Sequence, residues 1–410
     1  MTTRWIGSIA AAALAVTTFA VIPDIPPAVA ASKARHDNSA MAGKAKPPIP
    51  LEAVGPIDTQ ARSALVMEVE TGTVLLNKNA DERIPPASMS KLMTAYLVFD
   101  YLKQGRATLD DELPVSEKAW RTGGSKMFVP LGARVKISDL VRGMIVQSGN
   151  DACVVLAEGL AGSEAAFIEQ MNQKAKEIGL TNSHFANVDG LPNPDHWMTA
   201  HDLATVAMRT IVDYPQFYEI YGEKDFTYNN ITQGNRNPLL YKDLGADGLK
   251  TGHTEEAGYS LVGSAKRGER RVLVVLSGLP SSKARAQESE RLIEWVFREY
   301  NTVPLFTAGA TVDAASVWLG GQPKVPLTVA KDLVVTVPRK SRKNMKVTVA
   351  YDQPVAAPIR KGQQFGKIVV VVPDLQPVEA PLVAATDVDR MGPFGRIATV
   401  AGHMIWGNWN

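Results

Sequence analysis

The chain has almost no cysteine. Of its 410 residues only Cys153 is a cysteine, so no disulfide can form within the chain. Its surroundings, Asp-Ala-Cys-Val-Val-Leu-Ala, are apolar and predict a helix in which Cys153 is a small core residue. No cluster of cysteine and histidine indicates a metal site. We therefore expect neither a metal nor another cofactor.

The chain also lacks an excess of charge of either sign. Its 44 lysines and arginines and 42 aspartates and glutamates leave a net charge of +2, which gives no reason to expect a nucleic-acid partner. Hydrophobic residues make up 45% and charged residues 21%, which is typical of a globular protein with an ample core. The length favours two domains.

The N-terminus has the three parts of a secretory signal. Arg4 provides a positive start, Ile6–Val21 is apolar, and Ala28-Val29-Ala30 is a cleavage site of small residues. An uncleaved anchor is the alternative, but the proline-rich segment Pro23–Pro27 and the small-residue site favour cleavage. We expect residues 1–30 to be a signal peptide and the protein to work at the periplasmic face of the cytoplasmic membrane.

The rest of the chain divides into three segments with different sequence patterns. Residues 31–54 are predicted to be a linker, and residues 55–300 have β-type runs at both ends with helical patterns between them. This arrangement predicts an α/β (α+β) domain in which the two ends share one sheet. Residues 301–385 have short β-branched runs separated by turn residues, which predicts a small all-β domain.

Residues 386–410 predict an amphipathic helix that begins near Pro393. Apolar residues recur at spacings of three and four: Phe394, Ile397, Ala401, Met404 and Ile405. Arg396, Thr399 and His403 fall off this stripe, and Trp406 and Trp409 follow it. The run is too short for the ~20 residues of a membrane span, so we expect a helix that lies in the membrane interface. A helix docked on the β domain is the alternative.

The first chemical pattern is Ser88-Met-Ser90-Lys91, directly after Pro85-Pro86. From Ala87 onwards the sequence predicts a buried helix with Ser88 in its first turn. Lys91 follows three residues later on the same face, where its amine can reach the hydroxyl; Ser90 points elsewhere. A buried lysine loses hydration of its charge, so its pKa falls and it can act as a base for a serine nucleophile. The plain alternative is a capping serine followed by a lysine that reaches solvent.

Two further patterns follow in order along the chain. Ser148-Gly149-Asn150 lies between two predicted helices, and Lys250-Thr251-Gly252 lies on a predicted strand. The ordered set of three resembles the serine penicillin-binding protein and β-lactamase superfamily. The chain is most similar to the low-molecular-mass D-alanyl-D-alanine carboxypeptidases. The stretches that carry this closer resemblance are Lys250–Thr254 with Ala257-Gly258-Tyr259, Asn235–Leu240, and Arg285.

The resemblance covers about residues 55–385 and implies a fold and a reaction. The fold is a transpeptidase-type domain with a central antiparallel sheet flanked by helices, followed by a small all-β domain. The reaction removes the last D-alanine of peptidoglycan stem peptides through an acyl-enzyme on Ser88, and penicillins acylate the same serine. Lys91 accepts the serine proton, Ser148 relays a proton to the leaving amine, and Asn150 binds the substrate's amide.

The same resemblance assigns the third pattern to substrate binding. Lys250-Thr251-Gly252 supplies positive charge and a strand edge, and the charge of Lys250 lowers the pKa of Lys91. The backbone N–H groups of Ser88 and His253 form the oxyanion hole. Thr251 and Arg285 or Arg236 hold the terminal carboxylate. For either arginine, an ordinary surface salt bridge is the alternative, and the imidazole of His253 can be without a role.

Three rival functions remain. A class A β-lactamase has Ser-Asp-Asn as its second motif and a glutamate in a loop before the third, whereas this chain has Gly149 and no glutamate in residues 180–198. A DD-endopeptidase has the same motifs, so the sequence separates it less well. A non-catalytic wall-binding protein is disfavoured because all three motifs are intact.

Overall fold

The computed structural model describes residues 14–19, 57–373 and 375–406. They form two compact units. The α/β unit consists of Thr59–Leu305 with Val334–Arg342, and the β-rich unit takes in Phe306–Leu333, the described residues from 343 onwards and a short N-terminal strand. The predicted linker at 31–54 and most of the predicted signal peptide lie outside the described residues.

Most helices lie between β3 and β6, and most of the strands follow them along the chain. The strands are β1 (Leu14–Phe19), β2 (Ser63–Glu68), β3 (Val74–Lys78), β4 (Glu112–Pro114), β5 (Arg134–Lys136), β6 (Asp225–Tyr228), β7 (Ile231–Gly234), β8 (Ala246–Thr254), β9 (Gly258–Arg267), β10 (Arg270–Leu279), β11 (Tyr300–Phe306), β12 (Thr311–Trp318), β13 (Lys324–Val329), β14 (Leu333–Pro338), β15 (Lys346–Asp352), β16 (Val355–Ala356), β17 (Gln364–Val371) and β18 (Val378–Ala384). The helices are α1 (Lys91–Lys103), α2 (Glu117–Arg121), α3 (Ile137–Ile145), α4 (Asn150–Ala161), α5 (Glu164–Glu177), α6 (Ala200–Asp213), α7 (Pro215–Tyr218), α8 (Ser282–Glu299) and α9 (Pro393–Trp406).

The α/β unit is built on a five-stranded antiparallel sheet in the order β3-β2-β10-β9-β8. Both faces of the sheet are covered. In β2, Leu65 and Met67 belong to the core cluster that contains the residues of α1 to α6, and the alternate residues Ala64 and Val66 are equally buried. Successive side chains point to opposite faces of a strand, so β2 separates two apolar layers. The predicted sharing of one sheet by the two ends of the domain is confirmed.

Helix α1 is the centre of the helical layer. Ten of its 13 residues are buried, and it contacts α3, α4, α5 and α6. This agrees with the prediction of a helix that is apolar all round. Each fully buried leucine, valine or phenylalanine side chain on it contributes about 1.5–3 kcal/mol, so the position of the Ser88 turn at its start is held by a large packed surface.

Three local predictions need correction. The helix does not begin as an α-helix at Ala87: residues Ala87–Ser90 form a 3₁₀ turn, and α1 follows. Ser138, before the apolar run Leu-Val-Arg-Gly-Met-Ile-Val, predicts a serine cap, but Lys136 ends a strand in extended conformation and α3 begins at Ile137. The breaks at Gly123-Gly124 and Gly132 predict an irregular stretch at 110–136, but this stretch pairs β4 with β5 and includes α2, whose N-cap is Ser116.

The β-rich unit has one sheet in the order β1-β15-β17-β18-β13-β12-β16. Three of the predicted β-branched runs are found in this unit as β12, β15 and β17; the fourth is β14, which pairs with β11 and lies mostly in the α/β unit. Strands β13 and β18 were missed because each contains a proline, Pro326 and Pro381, which usually argues against a strand. Strand β1 pairs antiparallel with β15 and falls within the predicted signal peptide.

The chain ends in α9, which begins at Pro393 as predicted. Phe394, Ile397 and Met404 of the predicted stripe are 88%, 68% and 81% exposed. The side chain of Ile405 and all of Trp409 lie outside what the structure describes. Among the described helices, none combines the length and the apolar character needed to span a bilayer.

Candidate active site

Ser88 and Lys91 meet at the junction between the 3₁₀ turn and α1. Lys91 Nζ lies 2.9 Å from Ser88 Oγ, and the lysine side chain is only 1% exposed. Ser88 itself is half-buried and open to the site. The neighbouring Ser90 makes no hydrogen bond to Lys91: its hydroxyl is buried and has no hydrogen-bond partner among the described residues.

The Lys91 amine is surrounded by three oxygen atoms. Besides Ser88 Oγ, Nζ contacts Asn150 Oδ1 at 2.7 Å and the backbone carbonyl of Asp189. These two oxygens can only accept, and a neutral amine has two N–H donors and one lone pair. Nζ of the ammonium donates to all three oxygens; once the amine is neutral, its two N–H groups can donate to Asn150 and Asp189, and its lone pair is left to accept the Ser88 proton.

Burial is the main reason why the pKa of Lys91 is lowered from its ordinary value. Removing the ammonium from water disfavours its charged form, and the Arg236 cation acts in the same direction. The sequence predicts that the charge of Lys250 also lowers the pKa of Lys91. Repulsion between the two amines is one cause of the lowered pKa of Lys250, and such a repulsion acts on both groups.

The second motif lies between α3 and α4. Ser148 Oγ is 2.9 Å from Lys250 Nζ, and Asn150 begins α4 with its Nδ2 donating to the Gly123 carbonyl at 2.8 Å. Holding the amide of Asn150 in this way directs its oxygen at Lys91. Gly149 has no room for a side chain, since an added Cβ would lie 2.9 Å from Asp151 Oδ1 and 3.1 Å from the Met127 backbone nitrogen.

Two non-glycine residues of the site have left-handed backbone conformations. Ala87 has φ +48° next to the serine, and Ser148 has φ +62° next to the lysine of the third motif. This conformation costs roughly 1–2 kcal/mol for a residue with a Cβ, and the surrounding packing must hold it in place. The strain places the Ser88 and Ser148 hydroxyls on the same side of the site as the two lysines.

The third motif lies on β8, at the edge of the central sheet. Lys250 is 3% exposed, and burial first and Lys91 second hold its pKa well below the ordinary range. Gly252 brings this strand against the serine turn, because a Cβ there would lie 2.9 Å from the Pro86 carbonyl oxygen. The close approach places the strand edge beside Ser88.

The mouth of the site is lined by cations and rings. Arg236 Nη1 donates to Ser125 Oγ at 2.6 Å, and Arg285 lies with Cζ 5.7 Å from the ring centroid of Tyr259. His253 is exposed and packs against the same tyrosine. Among the described residues neither arginine has a carboxylate partner, so a surface salt bridge does not account for either of them.

Part of loop 180–198 completes the surroundings of Lys91, and its role does not follow from the sequence. Asp189 supplies its backbone carbonyl to Lys91, and Gly190, with φ +82°, allows the approach. A Cβ on Gly190 would lie 1.9 Å from the Ala87 carbonyl oxygen, so no other residue fits. The Asp-Gly pair indicated a turn, but nothing in the sequence indicated which side chain it would face.

A second missed residue is Asp151, which is buried beside Asn150. Its carboxylate accepts backbone N–H groups from Met127, Phe128 and Val129 at 2.9, 2.9 and 3.2 Å, and from Ala152. These bonds tie the loop that contains the Gly123 carbonyl to the start of α4. Asp151 therefore helps to hold the acceptor that orients Asn150.

Comparison with known proteins relates this geometry to a family. A family model described as D-alanyl-D-alanine carboxypeptidase matches residues 50–280, and the model of the C-terminal domain of penicillin-binding protein 5 matches residues 300–390. The chain is 40% identical over 360 residues to the D-alanyl-D-alanine carboxypeptidase DacC of Escherichia coli, covering 85% of this chain and 90% of that protein. The chain belongs to the D-alanyl-D-alanine carboxypeptidase family of low-molecular-mass penicillin-binding proteins.

Solved structures of the family have the same architecture. Penicillin-binding protein 5 from Haemophilus influenzae superposes with a TM-score of 0.78 at 38% identity and covers 82% of this chain and 100% of its own. Penicillin-binding protein D2 from Listeria monocytogenes, solved in an ampicillin-bound form, matches 59% of this chain and 98% of its own with a TM-score of 0.54 and 31% identity. The predicted fold class, a sheet-centred α/β domain with an all-β C-terminal domain, is confirmed.

Proposed function

We propose that this protein is a serine-type carboxypeptidase that removes the terminal D-alanine from peptidoglycan stem pentapeptides and is acylated by penicillins. The observation that carries the proposal is the contact between Ser88 Oγ and the buried amine of Lys91, whose other two partners are oxygen acceptors that leave the lone pair of the neutral amine for the hydroxyl. The family membership supplies the substrate class. The proposed reaction uses neither a metal nor an organic cofactor.

Acylation begins when Lys91 takes the Ser88 proton and Oγ attacks the carbonyl of the penultimate D-alanine. The developing oxyanion is held by the backbone N–H groups of Ser88 and His253. This pairing is supported by the close approach of Gly252 to the Pro86 carbonyl, which puts the β8 edge beside the serine turn. The proton then passes to the leaving D-alanine nitrogen through Ser148, and the C–N bond breaks.

Deacylation uses the same groups in reverse. A water takes the place of the released D-alanine, Lys91 accepts its proton, and hydroxide attacks the ester carbonyl. The bond to Ser88 Oγ breaks, and the proton returns to Oγ. A penicillin follows the first half of this path, but its amine remains attached to the acyl group and blocks the approach of water.

The third motif and the arginines at the entrance of the site bind the substrate. Asn150 binds the substrate's amide, and Lys250-Thr251-Gly252 with Arg236 and Arg285 receives the terminal carboxylate. The lowered pKa of Lys250 rises again when a carboxylate binds nearby, because an opposite charge favours the ammonium. Binding of the anionic substrate thus favours the charged form of this lysine.

Product analysis on a soluble pentapeptide tests the reaction type. We expect the purified protein to release free D-alanine and leave a tetrapeptide, and to hydrolyse penicillin only slowly. The reason is that Gly149 leaves no space for the aspartate of the β-lactamase motif and loop 180–198 contains no glutamate to activate a deacylating water.

Two results would contradict this expectation in different ways. Fast penicillin turnover without D-alanine release would favour a β-lactamase. Preferential cleavage of cross-linked dimers over pentapeptide would favour an endopeptidase. A Ser88→Ala protein is the blank for all three assays, since each reaction needs the same nucleophile.

The proposed place of work is the periplasmic face of the cytoplasmic membrane, reached by export with residues 1–30 as signal peptide. Helix α9 attaches the protein to the membrane surface. Exposed Phe394, Ile397 and Met404 support this, since a helix docked on the β-rich unit would bury them. An apolar face of this kind binds in the interface and does not cross the bilayer.

Deleting residues 388–410 tests the attachment. We expect the truncated protein to move from the membrane pellet to the soluble periplasm with unchanged release of D-alanine from a soluble peptide. A finer variant replaces Phe394, Ile397 and Met404 with serine and leaves the fold intact, because these side chains are exposed. An Arg396→Ser protein, which retains the apolar face, is the control. Retention of the triple variant in the membrane would contradict the proposal.

A further inference from the structure

Tyr259 is an aromatic residue that contacts two side chains of the mouth at once. It stands opposite His253 in the pairing of β8 with β9, and the two ring centroids are 4.0 Å apart at an interplanar angle of 37°. The guanidinium carbon of Arg285, in the first turn of α8, lies 5.7 Å from the centroid of the same tyrosine ring. One ring therefore connects the strand edge to the arginine.

Few other contacts hold the Arg285 guanidinium. Its Nη2 is 3.5 Å from the Arg236 carbonyl oxygen, which is long for a hydrogen bond. Its Nε is buried and has no hydrogen-bond partner among the described residues. The carboxylates of the described residues form no ion pair with it. An arginine side chain has many rotamers, so the position of this one depends on the tyrosine ring.

We infer that Tyr259 is a positioning residue for recognition of the substrate's terminal carboxylate, and that it acts by holding the Arg285 guanidinium through a cation–π contact. The negative face of an aromatic ring attracts a cation within about 6 Å of its centroid. With the ring in place, the cation is already oriented when the carboxylate arrives. This inference rests on the proposed role of Arg285 in binding that carboxylate.

The test compares two peptides that share one scissile bond. One ends in D-alanyl-D-alanine, and the other ends in D-alanyl-D-alaninamide, which lacks the negative charge. The ratio of their kcat/KM values measures recognition of the carboxylate. We expect Tyr259→Leu to lower this ratio about tenfold, mainly through a higher KM for the acid, because a weakly exposed cation–π contact has about this effect.

The conservative variant is Tyr259→Phe, which retains the ring. No hydrogen bond of the tyrosine hydroxyl is found among the described residues, so we expect this variant to keep a ratio near that of the wild type. Tyr259→Met is a second ringless variant that fills more of the space on β9 if the leucine protein is unstable. A fall of both kcat/KM values by one factor, with an unchanged ratio, would mean that Tyr259 is only structural and would overturn the inference.

Two further variants distinguish a failure of this inference from a failure of the proposed role of Arg285. In an Arg285→Ala protein the ratio should fall at least as far, and adding Tyr259→Leu should change it no further, because the two residues act as one unit. If Arg285→Ala leaves the ratio unchanged, the role of Arg285 and this inference both fail, while D-alanine release stands. If Tyr259→Leu does not change the ratio in a His253→Ala protein, the ring acts through His253. In that case this inference fails, while the proposed role of Arg285 stands.

Discussion

We expect Ser88→Ala to abolish covalent labelling by a fluorescent penicillin and to lower D-alanine release by a factor on the order of 10⁶, the size found when a serine hydrolase loses its nucleophile. The reason is that no acyl-enzyme can form without Oγ. Labelling followed on a denaturing gel measures the first effect, and release of D-alanine measures the second.

Ser90→Ala is the matched control for this experiment. Ser90 is two residues away in the same 3₁₀ turn and is fully buried, and its hydroxyl has no hydrogen-bond partner among the described residues. Removing an unpartnered buried hydroxyl costs little stability. We therefore expect normal labelling of Ser90→Ala. Intact labelling of a folded Ser88→Ala protein would move the nucleophile elsewhere.

The second large effect concerns Lys91. We expect Lys91→Arg to slow penicillin acylation by about 10²- to 10⁴-fold, the usual contribution of a general base, although the positive charge is kept. Arginine cannot release its proton at any accessible pH. The larger guanidinium also has no space between Asn150 Oδ1 and the Asp189 carbonyl. Stopped-flow measurement of acylation gives the rate.

The pH dependence gives an independent readout. Only the neutral amine can accept the Ser88 proton, so the wild-type acylation rate should rise with pH through the pKa of Lys91 and then level off. Burial lowers that pKa, so the rise should come below the ordinary range of lysine. In Lys91→Arg the residual rate should lack this rise.

Lys103→Arg, at the exposed end of the same helix, is the control for the lysine-to-arginine change itself. It should acylate at the wild-type rate with the wild-type pH profile. A Lys91→Arg protein that acylates near the wild-type rate would show that charge alone is needed at this position. The base would then be elsewhere, with Ser148 and Lys250 as the next candidates.

Local patterns in the sequence were sufficient for most of the elements and for the three motifs. Two β-type runs joined by Thr71-Gly72 predict the β2–β3 hairpin, and short-range periodicity predicts the buried α1 and the helix starting at Pro393; the structure has all three. Strands β13 and β18 did not follow, because a proline within each run hid the strand pattern. A strand can contain a proline where the missing N–H group does not face a partner strand. Which side of a strand is paired depends on the tertiary structure and not on the local sequence.

The sequence by itself determined which residues were candidates for chemistry, because Ser88 and Lys91 are three residues apart and a helical turn must bring them together. It did not determine what surrounds them. Three of the surrounding groups come from segments 30 to 100 residues away from Lys91: the Asp189 carbonyl, the Gly123 carbonyl and the Asp151 carboxylate. They reach the site only through tertiary packing.

Tertiary structure also decided the electrostatics. A lysine three residues after a serine has an ordinary pKa if it is exposed, and only its enclosure by α4 and loop 180–198 removes the water that stabilises its charge. For the same reason the effect of the Arg236 cation on Lys91 could not be predicted from the sequence, because it depends on distances through space. Local sequence determines which residues can react, and long-range packing determines their protonation state.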